Sequence, residues 1–331
     1  MIVLGIETSC DDTSAAIFDG KNLLANVIST QLVHRNFGGI VPELASRAHI
    51  QLILPVIRQT IDQAHLSLQN IEGIAVTRGP GLAGSLLVGL SVAKGLSFSL
   101  QIPLIGINHL EGHIWANWLH HQSLDPPFIT LIVSGGHTQL VHVIRWGKYK
   151  VIGRTRDDAA GEAFDKVGKL LGLGYPGGPA IENHAKKGNV KYFLFPRSYL
   201  KKGSFDFSFS GLKTSVLNHV QTIGPEKTEQ HLCDIACCFQ AAVVDVLVEK
   251  TIHAAQKYQI STVCLAGGVA VNKALQQHMT QQCSTLGISV LWPPPMLCTD
   301  NAGMIACAGH HYLARNISSP LSLSPLPSEN L

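Results

Sequence analysis

Charge is scarce in this sequence: 14% of its 331 residues are Asp, Glu, Lys or Arg, and the formal net charge is +3. So few charges exclude a chain kept disordered by self-repulsion. So small an imbalance does not by itself establish a nucleic-acid partner. Unbroken apolar runs of bilayer length are lacking too, although 46% of residues are hydrophobic, so the expectation is a large core and no membrane. The opening Met1-Ile-Val-Leu-Gly5 reads as a strand, without the basic start and cleavage site of a secretory leader, and a cytoplasmic home is expected. The eight cysteines (Cys10, Cys233, Cys237, Cys238, Cys264, Cys283, Cys298, Cys307) lack paired C-x-x-C spacing, which argues against a zinc ribbon. Most lie in apolar segments, where reduced core thiols are expected.

What is present alternates. Ile2 to Ile6 has a buried-strand pattern and ends in Glu7-Thr8-Ser9-Cys10-Asp11-Asp12-Thr13. Ser14 to Phe18 and Leu23 to Ser29 read as two further strands around the Asp19-Gly20 turn. Helical periodicity follows over Pro42 to Ala64. A strand over Ile71 to Thr77 then runs through the glycine-rich turn Gly79 to Gly84 into a helix over Leu86 to Leu100. The order recurs with strand Phe128 to Val133, turn Ser134 to Thr138, strands Gln139 to Ile144 and Lys148 to Arg154, and a helix over Gly161 to Leu171. Later, strand Ser261 to Leu265 empties into Ala266-Gly-Gly-Val-Ala270 and a helix over Val271 to Cys283. Repeated architecture without repeated residues predicts a duplicated α/β chain of two lobes with a central cleft. The first lobe is expected over 1–118, joined by a C-terminal helix over 300–316. The second is expected over 128–299, with an irregular insertion at 176–211 and a flexible tail at 317–331.

Glycine-rich turns stand near Gly79 to Gly84, Ser134 to Gly136, Gly177 to Gly178 and Gly267 to Gly268. Glycine lets backbone N–H groups approach a phosphate, and a helix opening behind the turn adds a favourable dipole. The P-loop spacing G-x-x-x-x-G-K-[ST] is missing. Alone, each turn is ordinary turn chemistry; together, in a duplicated chain, they point to a nucleotide held in the cleft. Asp11 and Asp165 adjoin such turns, and a carboxylate like Asp165 is a natural partner for a ribose hydroxyl, or else a helix cap.

The sharpest constellation is Ile107-Asn-His109-Leu-Glu111-Gly-His113. On a helix, His109 and His113 stack on one face one turn apart, at the end of a strand. Asp300, at a lobe boundary, supplies a carboxylate that would complete a two-His-one-Asp set across the cleft, with positions left open for catalysis. The run resembles the H-E-x-x-H of zinc proteases, but Glu111 stands one residue late. That displacement turns it by about 100° around the helix, which argues against a metalloprotease.

Together these motifs resemble one family. Ile6-Glu-Thr-Ser-Cys-Asp-Asp-Thr13, His109-Leu-Glu-Gly-His113, Val133-Ser-Gly-Gly-His-Thr138, Gly161-Glu-Ala-Phe-Asp-Lys166, Tyr175-Pro-Gly-Gly-Pro179, Phe207-Ser-Phe-Ser-Gly-Leu-Lys-Thr214, Gly267-Gly-Val-Ala-Val-Asn272 and Cys298-Thr-Asp-Asn301 run in the order seen in bacterial-type tRNA threonylcarbamoyladenosine transferases. That family was long mislabelled a glycoprotease. The matching motifs span residues 6 to 303.

The resemblance implies an actin-like ATPase fold, the duplicated RNase H-like architecture, and a transferase. It implies transfer of a threonylcarbamoyl group from threonylcarbamoyl-adenylate to the N6 amine of the adenosine 3′ of the anticodon, in tRNAs that read codons beginning with A, with release of AMP. By position, His109, His113 and Asp300 match the metal ligands, with Fe(2+) the first expectation and Zn(2+) the second. Ile132, Val133, Ser134, Gly135, Gly136, Asp165, Gly178 and Asn272 match contacts to the adenylate, an ATP-type nucleotide. Glu182 stands where many members carry Asp, so it is expected to keep the charge on a longer arm. Asp11 and His137 are the candidate catalytic groups. The expected partners are tRNA, a paralogous actin-like subunit and a small ATPase subunit. Lys186, Lys187, Lys191, Arg197, Lys201 and Lys202, interleaved with Tyr192, Phe193, Phe195 and Tyr199, suit either phosphate contacts with base stacking or a solvated face over core aromatics. A non-catalytic nucleotide-binding partner subunit and an actin-like small-molecule kinase are the alternatives.

Overall fold

The computed structural model describes every residue except Gly38 and residues 199–202. Two compact units divide the chain: residues 1–123 with 299–331, and residues 124–298.

The first unit begins with β1 (Val3–Glu7), β2 (Asp12–Phe18) and β3 (Leu23–Thr30), followed by α1 (Pro42–Gln63), β4 (Gly73–Gly79), α2 (Ala83–Leu100), β5 (Leu104–Asn108) and α3 (His109–His120). In the second unit come β6 (Phe128–Val133), β7 (Thr138–Arg145), β8 (Lys148–Arg154), α4 (Ala160–Leu170), α5 (Gly177–Ala185), α6 (Ser210–Ile223), α7 (Pro225–Gln230) and α8 (Leu232–Tyr258). It closes with β9 (Thr262–Ala266), α9 (Lys273–Ser284), β10 (Ser289–Leu291) and α10 (Pro295–Cys298). The chain then returns to the first unit through α11 (Ala302–Leu313).

Each unit holds a five-stranded sheet, ordered β3-β2-β1-β4-β5 in one and β10-β9-β6-β7-β8 in the other. In both, an antiparallel meander (β1–β2–β3; β6–β7–β8) is extended beyond its first strand by two parallel strands. The strand orders coincide, which is the duplication that the alternating pattern implies.

Alternation along β1 divides the first unit's core. Leu4 and Ile6 join the apolar cluster made with Ile53, Val56 and Ile57 of α1 and Leu90 and Ala93 of α2. Gly5, pointing the other way, lies against α11: a β-carbon there would meet the Ala302 carbonyl oxygen at 2.4 Å. Gly309 of α11 is as tight against Ala75 of β4, so small residues let this helix lie close on the sheet.

Helix α2 is apolar enough, by length and composition, to cross a membrane, with a mean hydropathy of 1.4 over 18 residues. Its buried face (Leu86, Leu90, Ala93) packs on the sheet, while Leu87 and Phe98 are exposed.

Two expectations are corrected, and one long helix is added to them. The segment 176–211 is not irregular throughout, because its first part is α5. Its Gly-Gly-Pro opening hides a helix start that tolerates proline in the first turn and is capped from outside by Asp165. The tail over 317–331 is not loose. Ser319 N donates to Leu104 O at 2.7 Å, Leu326 N to Arg78 O at 2.7 Å, and Gly81 N to Pro327 O at 3.1 Å, while Arg78 and Glu329 form an ion pair. Finally, α8 runs for 27 residues through a stretch that carried no expectation. It is buried on many sides, so its apolar residues lack the one-faced period that marks an amphipathic helix.

Candidate active site

The strand β5 ends at Asn108, whose side chain caps α3 by accepting from Leu110 N at 2.9 Å and Glu111 N at 3.3 Å. That cap fixes the first turn, so His109 and His113 emerge together with ring centroids 4.7 Å apart. Gly112 between them admits α11: a β-carbon there would meet Ile305 at 2.8 Å. Helix α11 is anchored in turn, with Ala302 N donating to Ser14 Oγ at 2.9 Å and Asn301 capping Met304 N at 3.0 Å. Asp300 is thereby delivered to the histidines. Its Oδ1 lies 3.4 Å from His109 Nε2 and 3.3 Å from His113 Nε2. The three donor atoms lie within 4.8 Å of one another. Asp300 belongs to the same unit as both histidines, so the expectation that it completes the set from across a lobe boundary is replaced by a site built within one unit.

The electrostatics are those of a buried, tightly coupled cluster of carboxylate and imidazoles. Burial opposes the charge on Asp300, but the adjacent imidazoles hold its carboxyl well below the usual range. Burial likewise opposes a charged His109, yet Asp300 and Glu7 carry its pKa well above the ordinary value, while burial pushes His113 down. Both ring nitrogens of His113 are buried without a hydrogen-bond partner among the described residues. Nε2 has only the long 3.3 Å approach to Asp300, and buried nitrogens left so are expensive unless something else binds them. Two imidazoles, one carboxylate and open positions fit a divalent cation.

A residue that sequence reasoning missed supports this set. Glu7, fully buried at the end of β1, places Oε2 at 2.9 Å from His109 Nδ1. Glu7 is itself held by Thr77 Oγ1 at 2.6 Å and Ser9 N at 2.5 Å. Burial would raise its pKa, but His109 lowers it. A carboxylate behind a histidine holds the proton on Nδ1 and leaves Nε2 to ligate. The available signal was an acidic residue closing an otherwise apolar strand. Glu111, by contrast, accepts from Tyr312 OH at 2.5 Å and Trp115 Nε1 at 3.4 Å, engaged away from the triad as its register implies.

Asp11 lies in the turn between β1 and β2, where its carbonyl accepts from Gln31 N at 3.2 Å. Its carboxylate is not one of the three clustered donors. His49 holds this turn, reaching Cys10 O at 2.9 Å and Thr13 Oγ1 at 2.7 Å. Gly79, Gly81 and Gly84 carry the G-x-G-x-x-G spacing, yet each is filled by protein. β-carbons there would meet the Leu326 carbonyl at 1.9 Å, the Ser9 carbonyl at 2.5 Å and Ser46 Oγ at 2.4 Å. This turn is therefore a packing device, and the phosphate role expected of it is withdrawn.

In the second unit the adenylate-matching residues form one connected group. Strands β6 and β9 are parallel neighbours, so Ile132 and Val133 end beside Ala266 and Gly267. Ligands of open α/β sheets sit at that edge. Ile132 and Val133 are fully buried, so only their backbones are presented. Gly161 N donates to Ser134 O at 3.2 Å, Asp165 Oδ1 accepts from Gly177 N at 2.7 Å, and Glu182 Oε1 accepts from Lys273 N at 2.7 Å. Asn272 Oδ1 caps α9 at Leu275 N, 3.0 Å away, and its Nδ2 donates to Gln240 Oε1 at 2.9 Å. Added β-carbons at Gly135, Gly136 and Gly178 would meet nothing within 4 Å, unlike that at Gly267, which would strike the Val133 carbonyl at 2.4 Å. Open glycines at two turns leave backbone N–H groups free to approach a ligand. Asp165 is pushed up by burial, against its bonds to Gly177 and Gly178. The turn at His137 closes as Ser134 N donates to His137 O at 2.8 Å and His137 N donates to Ser134 Oγ at 3.1 Å.

The basic, aromatic stretch divides. Phe195 is fully buried, and Arg197 Nη2 pairs with Asp245 Oδ2 at 2.7 Å, so both are structural. Lys186, Lys187 and Lys191 are exposed, and Tyr192 stacks on His231 at 4.4 Å. Tyr199, Lys201 and Lys202 lie outside the described residues.

Two five-stranded sheets of matching strand order, one in each unit, are those of a protein of the actin-like ATPase fold. Solved structures agree on that fold: HypF from T. kodakarensis superposes with a TM-score of 0.65 at 15% identity, covering 96% of this chain and 48% of that one. Component A of (R)-2-hydroxyglutaryl-CoA dehydratase from Acidaminococcus fermentans gives 0.58 at 15% identity, covering 95% and 99%. The family model of TsaD, tRNA N6-adenosine threonylcarbamoyltransferase, matches residues 22–307. Proteins of that name from Clostridioides difficile (strain 630) and Syntrophus aciditrophicus (strain SB) are 50% and 52% identical, covering 99% and 98% of this chain and 98% and 96% of their own lengths. The chain belongs to the tRNA N6-adenosine threonylcarbamoyltransferase family.

Proposed function

We propose that this chain transfers a threonylcarbamoyl group from threonylcarbamoyl-adenylate to the N6 amine of the adenosine 3′ of the anticodon, in tRNAs reading codons that begin with A. The N6 nitrogen forms a bond to the carbamoyl carbon, the bond from that carbon to the phosphate oxygen breaks, AMP leaves with the electron pair, and the amine gives up a proton. The observation that carries the reading is the His109, His113 and Asp300 cluster in a chain of this family.

His109, His113 and Asp300 would hold one divalent ion, iron by preference and zinc as the second choice. Such an ion supplies Lewis-acid polarisation of substrate oxygens. Glu7 holds His109 in register for it. The open glycines Gly135, Gly136 and Gly178 receive the adenylate, Asp165 and Glu182 offer carboxylates toward its ribose, and Asn272 lies beside them. Positioning of this kind is a large part of catalysis when the nucleophile is a weakly basic aromatic amine. Asp11 and His137 are the proton-handling candidates.

The reading extends to a cytoplasmic setting, where tRNA is the acceptor, and to a paralogous actin-like subunit and a small ATPase as helpers. Exposed Ile50 and Leu54 on α1 and Leu87 and Phe98 on α2 give a protein partner an apolar face. The test is transfer by Asp300→Ala with the purified adenylate and tRNA, followed by mass spectrometry of the tRNA nucleosides. Loss of the modified nucleoside is expected; full transfer would sink the metal-centred version.

A further inference from the structure

The motif Phe207 to Thr214 is left without a role by the chemistry above, and part of it lines a groove. Asp157 binds its first half, accepting from Phe209 N at 2.8 Å and Ser210 Oγ at 2.9 Å, and so fixes the start of α6. From there Gly211, Thr214, Ser215, Asn218, His219 and Thr222 follow one another at helical spacing and line an open cavity of about 450 Å³. Phe193 also lines the cavity and packs on His219, with ring centroids 4.0 Å apart.

The lining has the chemistry of a site for a flat heterocycle. Phe193 is 37% exposed, so a ring face or edge is offered to solvent. Thr214 and Thr222 spend their hydroxyl protons on Ser210 O and Asn218 O, at 3.2 Å and 2.7 Å, and keep lone pairs for a donor. His219 Nε2 is buried with no hydrogen-bond partner among the described residues. Burial, and then the neighbouring His231, holds that imidazole below its ordinary pKa. A β-carbon at Gly211 would meet nothing within 4 Å, so the glycine keeps the groove's mouth open. No carboxylate lines the cavity among the described residues. Lys191, two residues before Phe193, and Lys186 and Lys187 are exposed.

From this we infer that the α6 groove seats an unpaired nucleobase of the tRNA, stacked on the exposed part of Phe193 and read by the hydroxyl and amide groups of α6, while the neighbouring lysines meet the backbone phosphates. The inference rests on tRNA being the acceptor. It adds a second point of attachment on the acceptor, apart from the reacting adenosine. Base–aromatic stacking is sequence-tolerant and strong enough to register in affinity.

The test uses the full-length chain, with any subunits that co-purify with it, and measures tRNA affinity for Phe193→Leu and Phe193→Trp. Melting temperature and metal content serve as controls of folding. Phe193→Leu is expected to weaken binding about tenfold, the lower range for one stacked base. Phe193→Trp is expected to restore it, with indole fluorescence quenched when tRNA is added. Wild-type affinity in Phe193→Leu, equal losses in both variants, or an unquenched indole overturns the groove assignment alone. Loss of a protein subunit in Phe193→Leu, with tRNA affinity intact, overturns it in favour of a protein dock. A wild-type chain with no affinity for tRNA overturns the transferase reading and this inference with it.

Discussion

Glu7 Oε2 and His109 Nδ1 lie 2.9 Å apart inside a fully buried pocket at the end of β1, and this pair sets which nitrogen of His109 faces Asp300. Glu7→Gln keeps the shape but no longer fixes the proton on Nδ1. Metal affinity should fall by roughly 10- to 100-fold, the usual effect of removing a partner behind a ligating histidine. Competition against a chelating dye measures it directly; unchanged affinity would show that Glu7 matters only for folding.

Asp165 serves two masters, and two substitutions separate them. Asp165→Asn keeps an oxygen to accept from Gly177 N, so the melting temperature should hold while the KM for the adenylate rises. Asp165→Ala loses the cap too and should be less stable by about 1 kcal/mol. Equal KM values for Asp165→Asn and wild type would assign the carboxylate a purely structural role.

Burial raises the Asp12 carboxyl to about 7, against a hydrogen bond to Thr30, and the charges of Asp300, Asp11 and Glu7 push the same way. An acid whose folded pKa exceeds its unfolded value keeps its proton in the folded state after the unfolded chain has released it. The metal-free chain should therefore lose stability as pH rises from 3.8, the ordinary value, to about 7. Asp12→Asn escapes this, so its advantage over wild type should grow through that window and then level off. Urea denaturation at pH 5 and pH 8 tests the sign. An advantage of the same size at both would remove Asp12 as the cause.

Residues 325–331 reach the cap of α3. Asn108, which caps α3, donates Nδ2–H to Asn330 O at 3.3 Å. Deleting residues 325–331 removes this bond with those to Arg78 and Gly81. It should lower the melting temperature by a few degrees, about 2–4 °C for each kcal/mol lost. Metal affinity should fall less than in Glu7→Gln. Calorimetry and metal titration check the two effects; a truncated chain matching wild type in both would make the tail a passenger.

Legibility in the sequence followed the range of the interaction. The i, i+4 spacing of His109 and His113 is local, and the strand ends that place the adenylate group could be read from alternation and glycine turns. Asp300 was reached only because a motif marked it. Glu7 stayed hidden because its role comes from parallel strands that bring β1 beside β4 and its neighbour β5. The glycines show the same limit: Gly81 and Gly136 look alike in sequence, yet one is pressed against the Ser9 carbonyl and the other faces open space. Arg197 reads as a phosphate contact in sequence, yet Asp245 of α8 claims it.

The first unit is made from both ends of the chain, with the second unit encoded between its two parts. During synthesis, His109 and His113 therefore leave the ribosome long before Asp300, and α11, which fills one face of the first sheet, arrives later still. The second unit has all its strands before the first can close. A nascent chain can thus present two histidines but never the full ligand set. Any ion held by all three donors can therefore bind only after Asp300 has been made and α11 has folded back onto the first sheet.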